Sequence, residues 1–218
     1  MGRWGHRMFE GDQDEDMAAE IGFKISGETP SEEFAWVYFF TTGDPDEKHP
    51  DIDAAAVREK LDSGLGDNLF NQYRETENTS GGSLFEEGRL YLVIILAAMM
   101  MRCGAKIREE DMQHLREIVP AIPSREGYMW PLCDNGFRGP GKRQFLAALD
   151  HYQAGTPRSF VSASCFACGK MNTDLASPLL RCGGCDGPAW FCDKDCQRAY
   201  WKHHRKMCGP RKSMMLNV

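Results

Sequence analysis

Eight cysteine and histidine residues near the C-terminus have the spacing of metal ligands. Seven of the nine cysteines in the 218-residue chain lie between residues 165 and 208. The order of the candidate ligands is Cys165-x2-Cys168-x13-Cys182-x2-Cys185-x6-Cys192-x3-Cys196-x7-His204-x3-Cys208. Zinc favours four Cys or His ligands in structural sites, and a Cys-x2-Cys turn places two sulfurs around one ion with little strain. The spacing therefore predicts two zinc sites rather than a scatter of buried thiols.

Two adjacent histidines, His203 and His204, compete for the ligand position before Cys208. Acidic residues near position 193 and basic residues near position 206 complement a helix dipole, which predicts a helix over residues 193–207. On that helix His204 lies about 40° around the axis from Cys208, whereas His203 lies about 140° around it. We therefore predict that His204 is the ligand and that His203 is a solvated helix residue.

The same helix limits how the eight ligands can pair. Cys196 and His204 are about 12 Å apart along a continuous helix, whereas ligands of one zinc lie about 2.0–2.3 Å from the ion. The two sets cannot be the first four and the last four ligands unless the helix breaks. An interleaved or a nested arrangement satisfies the spacing.

Closed ligand sets predict a structural rather than a catalytic role for the metal. A catalytic zinc keeps one position open for water or substrate, and eight protein ligands for two ions leave none. Residues 162–218 carry a formal net charge of +5. Seven thiolates and two Zn²⁺ ions lower it to +2. Nucleic-acid binding, which depends on a dense basic face, is therefore not expected.

The ligand order and the residues around the last ligands resemble a MYND-type zinc finger. The similar residues are the pair Phe191-Cys192 and the run CQRAYWKHHRKMC over residues 196–208. Tyr200 departs from the family pattern, which usually has a histidine there, and Arg205 replaces a lysine. The resemblance covers residues 165–208, about a fifth of the chain. It implies cross-bracing, with one zinc on Cys165, Cys168, Cys192 and Cys196 and the other on Cys182, Cys185, His204 and Cys208.

The resemblance also implies a protein-interaction role, and because the predicted zinc sites are closed we expect no enzymatic activity. MYND fingers commonly recognise short segments that contain proline and leucine, and Gln197 and Trp201 occupy positions that help to form this surface. An alternative interpretation of Trp201 is structural: it packs between the helix and the zinc loops, because a small finger needs an aromatic anchor. Strands near residues 179–181 and 189–191 would form a hairpin whose edge a peptide could extend. We expect an adaptor in the nucleus or the cytoplasm, in transcriptional or regulatory complexes.

Two other functions are alternatives. MYND fingers also accompany the SET domains of protein-lysine methyltransferases, but such a domain needs substantial β structure and an Asn-His-x-Cys segment, and the sequence has neither. A nucleic-acid-binding finger is the third possibility, and it would show a steep salt dependence.

A linker is predicted between this finger and the rest of the chain. The stretch QAGTPRSFVSAS, residues 153–164, places Gly, Pro and Ser before the first Cys-x2-Cys pair. We therefore divide the chain into residues 1–160 and residues 161–218. Residues 1–161 contain 17 Lys and Arg against 28 Asp and Glu, a net charge of −11.

Residues 1–160 are predicted to form a mainly α-helical domain. Capping boxes at 29–32 and 83–86 predict a helix through residues 34–40 and another that ends near Cys103, with Gly104 as its cap. Further helices are predicted over residues 52–61, 68–76, 109–118 and 142–153. The fold class is thus a mainly α domain followed by a small zinc-stabilised finger with a β-hairpin and a C-terminal helix.

No membrane association is expected. The longest apolar run, residues 90–101, would rise only about 18 Å as a helix, short of the hydrocarbon layer of about 30 Å, so it predicts a core helix. The start of the sequence lacks the apolar run of a signal peptide. We therefore expect an intracellular protein whose cysteines are thiols or metal ligands.

Overall fold

The chain before residue 160 is mainly α-helical, as predicted. The computed structural model describes residues 4–27, 33–42, 52–77, 85–126, 136–185, 187 and 189–209. The helices of this part are α1 (Asp12–Ser26), α2 (Glu33–Thr41), α3 (Ala54–Lys60), α4 (Gly66–Glu77), α5 (Phe85–Cys103), α6 (Glu109–Ile118) and α7 (Gly139–His151). A π-helical turn at Leu61–Leu65 joins α3 to α4. The two-residue strands β1 (Ser124–Arg125) and β2 (Phe137–Arg138) pair in parallel before α7.

Helix α5 is the centre of the helical region. It contacts α1, α2, α3, α4 and α6, and residues 93–101 are completely buried, which confirms the predicted core helix. Gly104 ends α5 in the left-handed conformation (φ 72°), where glycine has no steric penalty. The amide of Ala105 then donates to the carbonyl oxygen of Met100 at 2.9 Å. Among the described residues, no helix is long and apolar enough to cross a membrane.

Helix α1 is an element that the sequence patterns above do not predict. It has three acidic residues in its first turn and ends at Gly27 (φ 74°), both of which are signals of a helix that can be read from sequence. Its buried residues Ala18, Ile21 and Ile25 belong to the core between α2 and α5. The predicted capping boxes at 29–32 and 83–86 lie outside the residues whose side chains the structure describes.

The C-terminal part contains the predicted hairpin and helix. Strands β3 (Leu180–Arg181) and β4 (Trp190–Phe191) are antiparallel, and α8 (Lys194–His204) follows them. Buried apolar residues divide into two clusters, one that ends at Phe160 and one that begins at Cys165. The fold class is thus confirmed, whereas separate folding of residues 1–160 and 161–218 stays a prediction.

Arg143 of α7 connects the helical region to the finger. Its guanidinium donates to both carboxylate oxygens of Glu126, at 2.8 and 3.0 Å, and to the carbonyl oxygen of Phe166 at 2.7 Å. It also lies 4.7 Å from the ring centroid of Tyr200, in cation–π geometry. The Tyr200 hydroxyl donates to the carbonyl oxygen of Glu126 at 3.4 Å. Burial opposes the charge of Glu126, but the hydrogen bond from Arg143, its positive charge and the hydrogen bond from Tyr200 together outweigh it and lower the pKa of the carboxyl group.

Two further arginines join the linker to its surroundings. Arg7 donates to the carbonyl oxygens of Val161 and Ser162, at 2.8 and 3.2 Å. Arg158 forms a two-bond ion pair with Asp174 of the finger, at 2.9 and 2.6 Å, and both side chains are buried. Because each charge is paired and hydrogen-bonded by the other, the cost of burying both side chains is offset.

Close backbone packing also holds the finger on α7. A Cβ atom on Gly169 (φ 80°) would lie 1.9 Å from the carbonyl oxygen of Arg143, so only glycine fits at this position. The ring of Phe166 packs 5.6 Å from the ring of His6. The finger is therefore packed against α7 and the N-terminal segment, and is not tethered by the linker alone.

We predict that the isolated fragment of residues 1–160 folds by itself, because its core cluster contains no residue beyond Phe160. Circular dichroism should show a strongly helical fragment whose helicity is indifferent to a zinc chelator. Its midpoint of thermal unfolding should be lower than that of the full chain, since the contacts of Arg7 and Arg143 with the finger are lost. A fragment without a cooperative unfolding transition would show that the two regions fold as one unit.

We predict that Arg143→Ala weakens the attachment of the finger to the helical region. Loss of charged hydrogen bonds of this kind costs about 2 kcal/mol, or about 4–8 °C in Tm for a chain of this size. Arg116→Ala is the matched control, because its guanidinium also donates to a carbonyl oxygen, that of Leu149, but within the helical region. A chelator should lower the Tm of the helical region in wild type and Arg116→Ala, and much less in Arg143→Ala. An equal chelator effect in all three proteins would contradict the coupling.

Candidate metal centre and adjoining surface

Helix α8 and the hairpin position most of the predicted ligands. The carboxylate of Asp193 caps α8 by accepting a hydrogen bond from the amide of Cys196 at 2.8 Å, a typical N-cap contact. Leu180 pairs with Phe191 across the hairpin, and the amide of Cys182 donates to the carbonyl oxygen of Ala189 at 3.0 Å. These local bonds fix the loops that present the cysteines.

The eight predicted ligands form two compact sets. In each set the ligand atoms lie within 4.8 Å of one another. Four ligands about 2.3 Å from a central ion lie about 3.8 Å from each other in a tetrahedron. The sulfurs of Cys168 and Cys192 are 3.4 Å apart, and those of Cys182 and Cys208 are 3.7 Å apart. One set is Cys165, Cys168, Cys192 and Cys196, and the other is Cys182, Cys185, His204 and Cys208.

The two sets are interleaved along the chain, which is the cross-bracing that the resemblance implied. Helix α8 is continuous from Lys194 to His204, so Cys196 and His204 lie on the same helix and belong to different sets. The Nε2 atom of His204 lies 3.7 Å from the sulfur of Cys185. Burial lowers the pKa of His204, which favours the neutral imidazole that binds metal.

His203 is not part of either set, as predicted, but it is not simply solvated. Its ring is half-buried and stacks on the ring of Tyr200, with centroids 5.3 Å apart and an interplanar angle of 28°. The prediction of a solvated side chain is therefore wrong in this respect. The cause is the buried position of Tyr200, which a helical wheel alone does not reveal.

The chemistry of the sulfur atoms fits a divalent cation in each set. Burial opposes ionisation of Cys165, but hydrogen bonds from nearby backbone amides, including that of Cys168, outweigh it and lower the pKa of this thiol. Burial and then repulsion by neighbouring thiolates raise the pKa of Cys196 to about 12. Burial and hydrogen bonding with Cys182 raise that of Cys208 to about 11. A cation among the sulfurs offsets this repulsion and favours the thiolate forms.

Both ligand sets therefore fit structural zinc, and the prediction of two structural zinc ions is confirmed. Each set offers four Cys or His donors, the combination that zinc prefers, and leaves no position for a substrate. When bound, the zinc ions supply cross-links that the small apolar cluster around Phe166, Phe191 and Tyr200 needs in order to fold.

Comparison with known proteins agrees with this geometry. Residues 165–208 match the family model of the MYND finger. This region of the chain is therefore a MYND finger, and the helical region lies outside the match. No curated protein matches the chain, and no solved structure matches it.

The predicted partner-binding residues lie side by side on the outer part of the finger. The Nε2 atom of Gln197 lies 3.6 Å from the sulfur of Cys182, to which it donates. Trp201 is 44% exposed, and its ring meets that of His204 edge-on at 5.8 Å. Leu180 on β3 is 53% exposed, and sequence reasoning did not single it out. The alternation of side chains along a two-residue strand is too short a signal to reveal it.

We predict that the purified wild-type chain contains two zinc ions. His204→Ala should lose zinc from the set that contains Cys182, because it removes one of four donors. His203→Ala is the matched control and should retain both ions. Cys182→Ser should lose the same single ion as His204→Ala. Elemental analysis by mass spectrometry measures all four proteins, and one zinc in wild type, or equal losses from the two histidine variants, would contradict the assignment.

Proposed function

We propose that this chain is a non-enzymatic adaptor whose MYND finger binds an extended segment of a partner protein that contains proline and leucine. The proposal is supported by the family match, because MYND fingers generally mediate protein interactions. The particular surface is supported by the position of β3 at the outer edge of the hairpin.

The outer edge of β3 is the observation that carries this proposal. The second edge of β4 is already occupied, because Trp190 forms a bridge with Cys165 and accepts a hydrogen bond from the amide of Phe166 at 2.9 Å. No strand in the described part of the chain pairs with the other edge of β3, and the amide of Leu179 at its start donates to the side-chain oxygen of Asn172 at 2.8 Å. An extended peptide can add to such an edge, with main-chain hydrogen bonds supplying affinity.

Exposed apolar side chains of the finger suit an apolar peptide. Leu180 and Trp201 are among the most exposed large apolar residues of the described chain. A tryptophan ring offers a wide flat surface to proline or leucine, and its contact with His204 limits its freedom before binding. Gln197 donates an amide N–H to the sulfur of Cys182, and its Oε1 atom can accept a hydrogen bond from a peptide N–H group.

The non-enzymatic part of the proposal is supported by the chemistry of the cysteines. The metal ligand sets are closed by four protein donors each. Cys103, a possible nucleophile by residue type, is buried, and this burial raises its pKa to about 12. Within the described residues the strands are two residues long, which does not support the methyltransferase alternative. The proposal includes an intracellular location, in the nucleus or the cytoplasm.

We predict micromolar binding of a proline- and leucine-containing peptide, or about −8 kcal/mol, because a flexible peptide loses entropy on docking. Trp201→Ala should weaken it at least tenfold, as expected for an aromatic residue at the centre of an interface. Tyr38→Ala is the matched control, since Tyr38 is a 50% exposed aromatic residue on α2. Fluorescence anisotropy with a labelled peptide library measures the affinities.

The zinc content of each variant separates recognition from folding. Gln197→Ala removes a donor to a ligand sulfur as well as a proposed peptide contact. Its affinity is therefore compared only in preparations that contain two zinc ions. If no peptide binds the wild type, or if zinc-replete Trp201→Ala and Gln197→Ala bind as well as wild type, the proposed surface is wrong.

A further inference from the structure

We propose that the partner segment carries acidic residues beside its apolar anchor, and that Arg198, Lys202 and Arg205 of the finger recognise them. This inference rests on the proposed function and deepens it by naming the charge of the partner. The recognised ligand is an acidic flank on a proline- and leucine-containing peptide.

The rotation of α8 places these cations beside Trp201. Successive residues of an α-helix are about 100° apart, so Gln197 lies about 40° to one side of Trp201. On the other side lie Arg205, at about 40°, Arg198, at about 60°, and Lys202, at about 100°. Gln197 also contacts Cys182, which directly follows β3, so the hairpin is on its side of the ring. A peptide that leaves the β3 edge and crosses Trp201 therefore reaches the three cations next.

All three cations are exposed and able to receive a partner carboxylate. Arg198 pairs with Asp195 at 3.0 Å, but the two side chains are 76% and 82% exposed. Ion pairs in such an environment are weak, so a carboxylate held in place by the docked peptide can compete. No ion pair joins Lys202 or Arg205 to a carboxylate of the described residues.

The helix dipole alone does not account for this arrangement. Lys202 lies in the last turn of α8 and Arg205 is its C-cap residue, where positive charge complements the helix dipole. Arg198 lies in the middle of the helix, outside the range of that effect. The three side chains share the flank of an exposed tryptophan, which adds a binding explanation to the structural one.

The charge of the rest of the chain favours a short acidic peptide over nucleic acid. Residues 1–161 carry a net charge of −11. A nucleic acid strand that extends past the finger would meet this field along its phosphates. A peptide flank of two or three carboxylates can instead stay within the screening length of about 8 Å from the three cations at physiological salt.

The experiment compares labelled peptides that share one extended core of alternating Pro and Leu. Their flanks are three Glu, three Ser or three Lys residues. Binding is measured by anisotropy to the full zinc-loaded chain, to the triple variant Arg198→Gln, Lys202→Gln, Arg205→Gln, and to a control triple variant. The control, Lys60→Gln, Lys106→Gln, Arg125→Gln, removes the same charge from exposed sites of the helical region.

We expect the Glu-flanked peptide to bind wild type about tenfold more tightly than the Ser-flanked peptide at low salt, since several exposed charge pairs each contribute a small factor. The preference should disappear in the α8 triple variant, persist in the control variant and decrease as salt is raised. The Lys-flanked peptide should bind most weakly.

Three outcomes would overturn the inference, and they differ from failure of the proposed function. Equal binding of the Glu- and Ser-flanked peptides, or equal loss of preference in both triple variants, rejects the acidic flank but leaves peptide binding intact. A single-stranded DNA oligonucleotide that binds more tightly than the Glu-flanked peptide, through the same three cations, would make this a nucleic-acid surface. If none of the peptides binds, the proposed function itself fails.

Discussion

Two tetrahedral zinc sites share one continuous helix, and the architecture of the finger depends on this constraint. Because Cys196 and His204 are too far apart along α8 for one ion, each must join ligands from elsewhere in the chain. The start of α8 is thereby joined through one ion to the first Cys-x2-Cys pair, which precedes the hairpin. Its end is joined through the other ion to the second pair, which lies between the two strands of the hairpin. Since the apolar cluster of the finger is small, the free energy of zinc binding supplies most of the free energy that folds the finger.

Fastening α8 at both ends also fixes its rotation, which gives adjacent residues opposite roles. Tyr200 faces inward, where Arg143 covers its ring and Glu126 accepts its hydroxyl hydrogen. Trp201, the next residue, faces solvent. Tyr200 is also the position at which the sequence departs from the usual histidine of MYND fingers. Its polar partners, Arg143 and Glu126, lie outside the finger, so this departure has a physical explanation in the packing of the finger against the helical region.

The finger was predictable from sequence because its constraints are local, whereas the contacts that orient it were not. Ligand spacing and helix geometry were sufficient to choose His204 over His203 and to reject a sequential pairing. The core helix was marked by an unbroken apolar run, but α1 has a mixed composition and was missed. The contacts of Arg143 with Glu126 and Tyr200 were not predictable from sequence, because residues that meet only in the folded chain have no characteristic spacing along it.

The two faces of α8 have a common support in the second zinc site. His204 is a ligand of that site, meets the ring of Trp201 at 5.8 Å and also contacts Phe191 in the finger core. Loss of this zinc would therefore release the ring that the proposed peptide meets and the end of the helix that carries Tyr200. Because both faces are held by one rigid element, we expect a change in zinc occupancy to affect the proposed peptide binding and the attachment to the helical region together. The helical region thus contacts the side of α8 that carries Tyr200 and leaves Trp201 exposed to solvent.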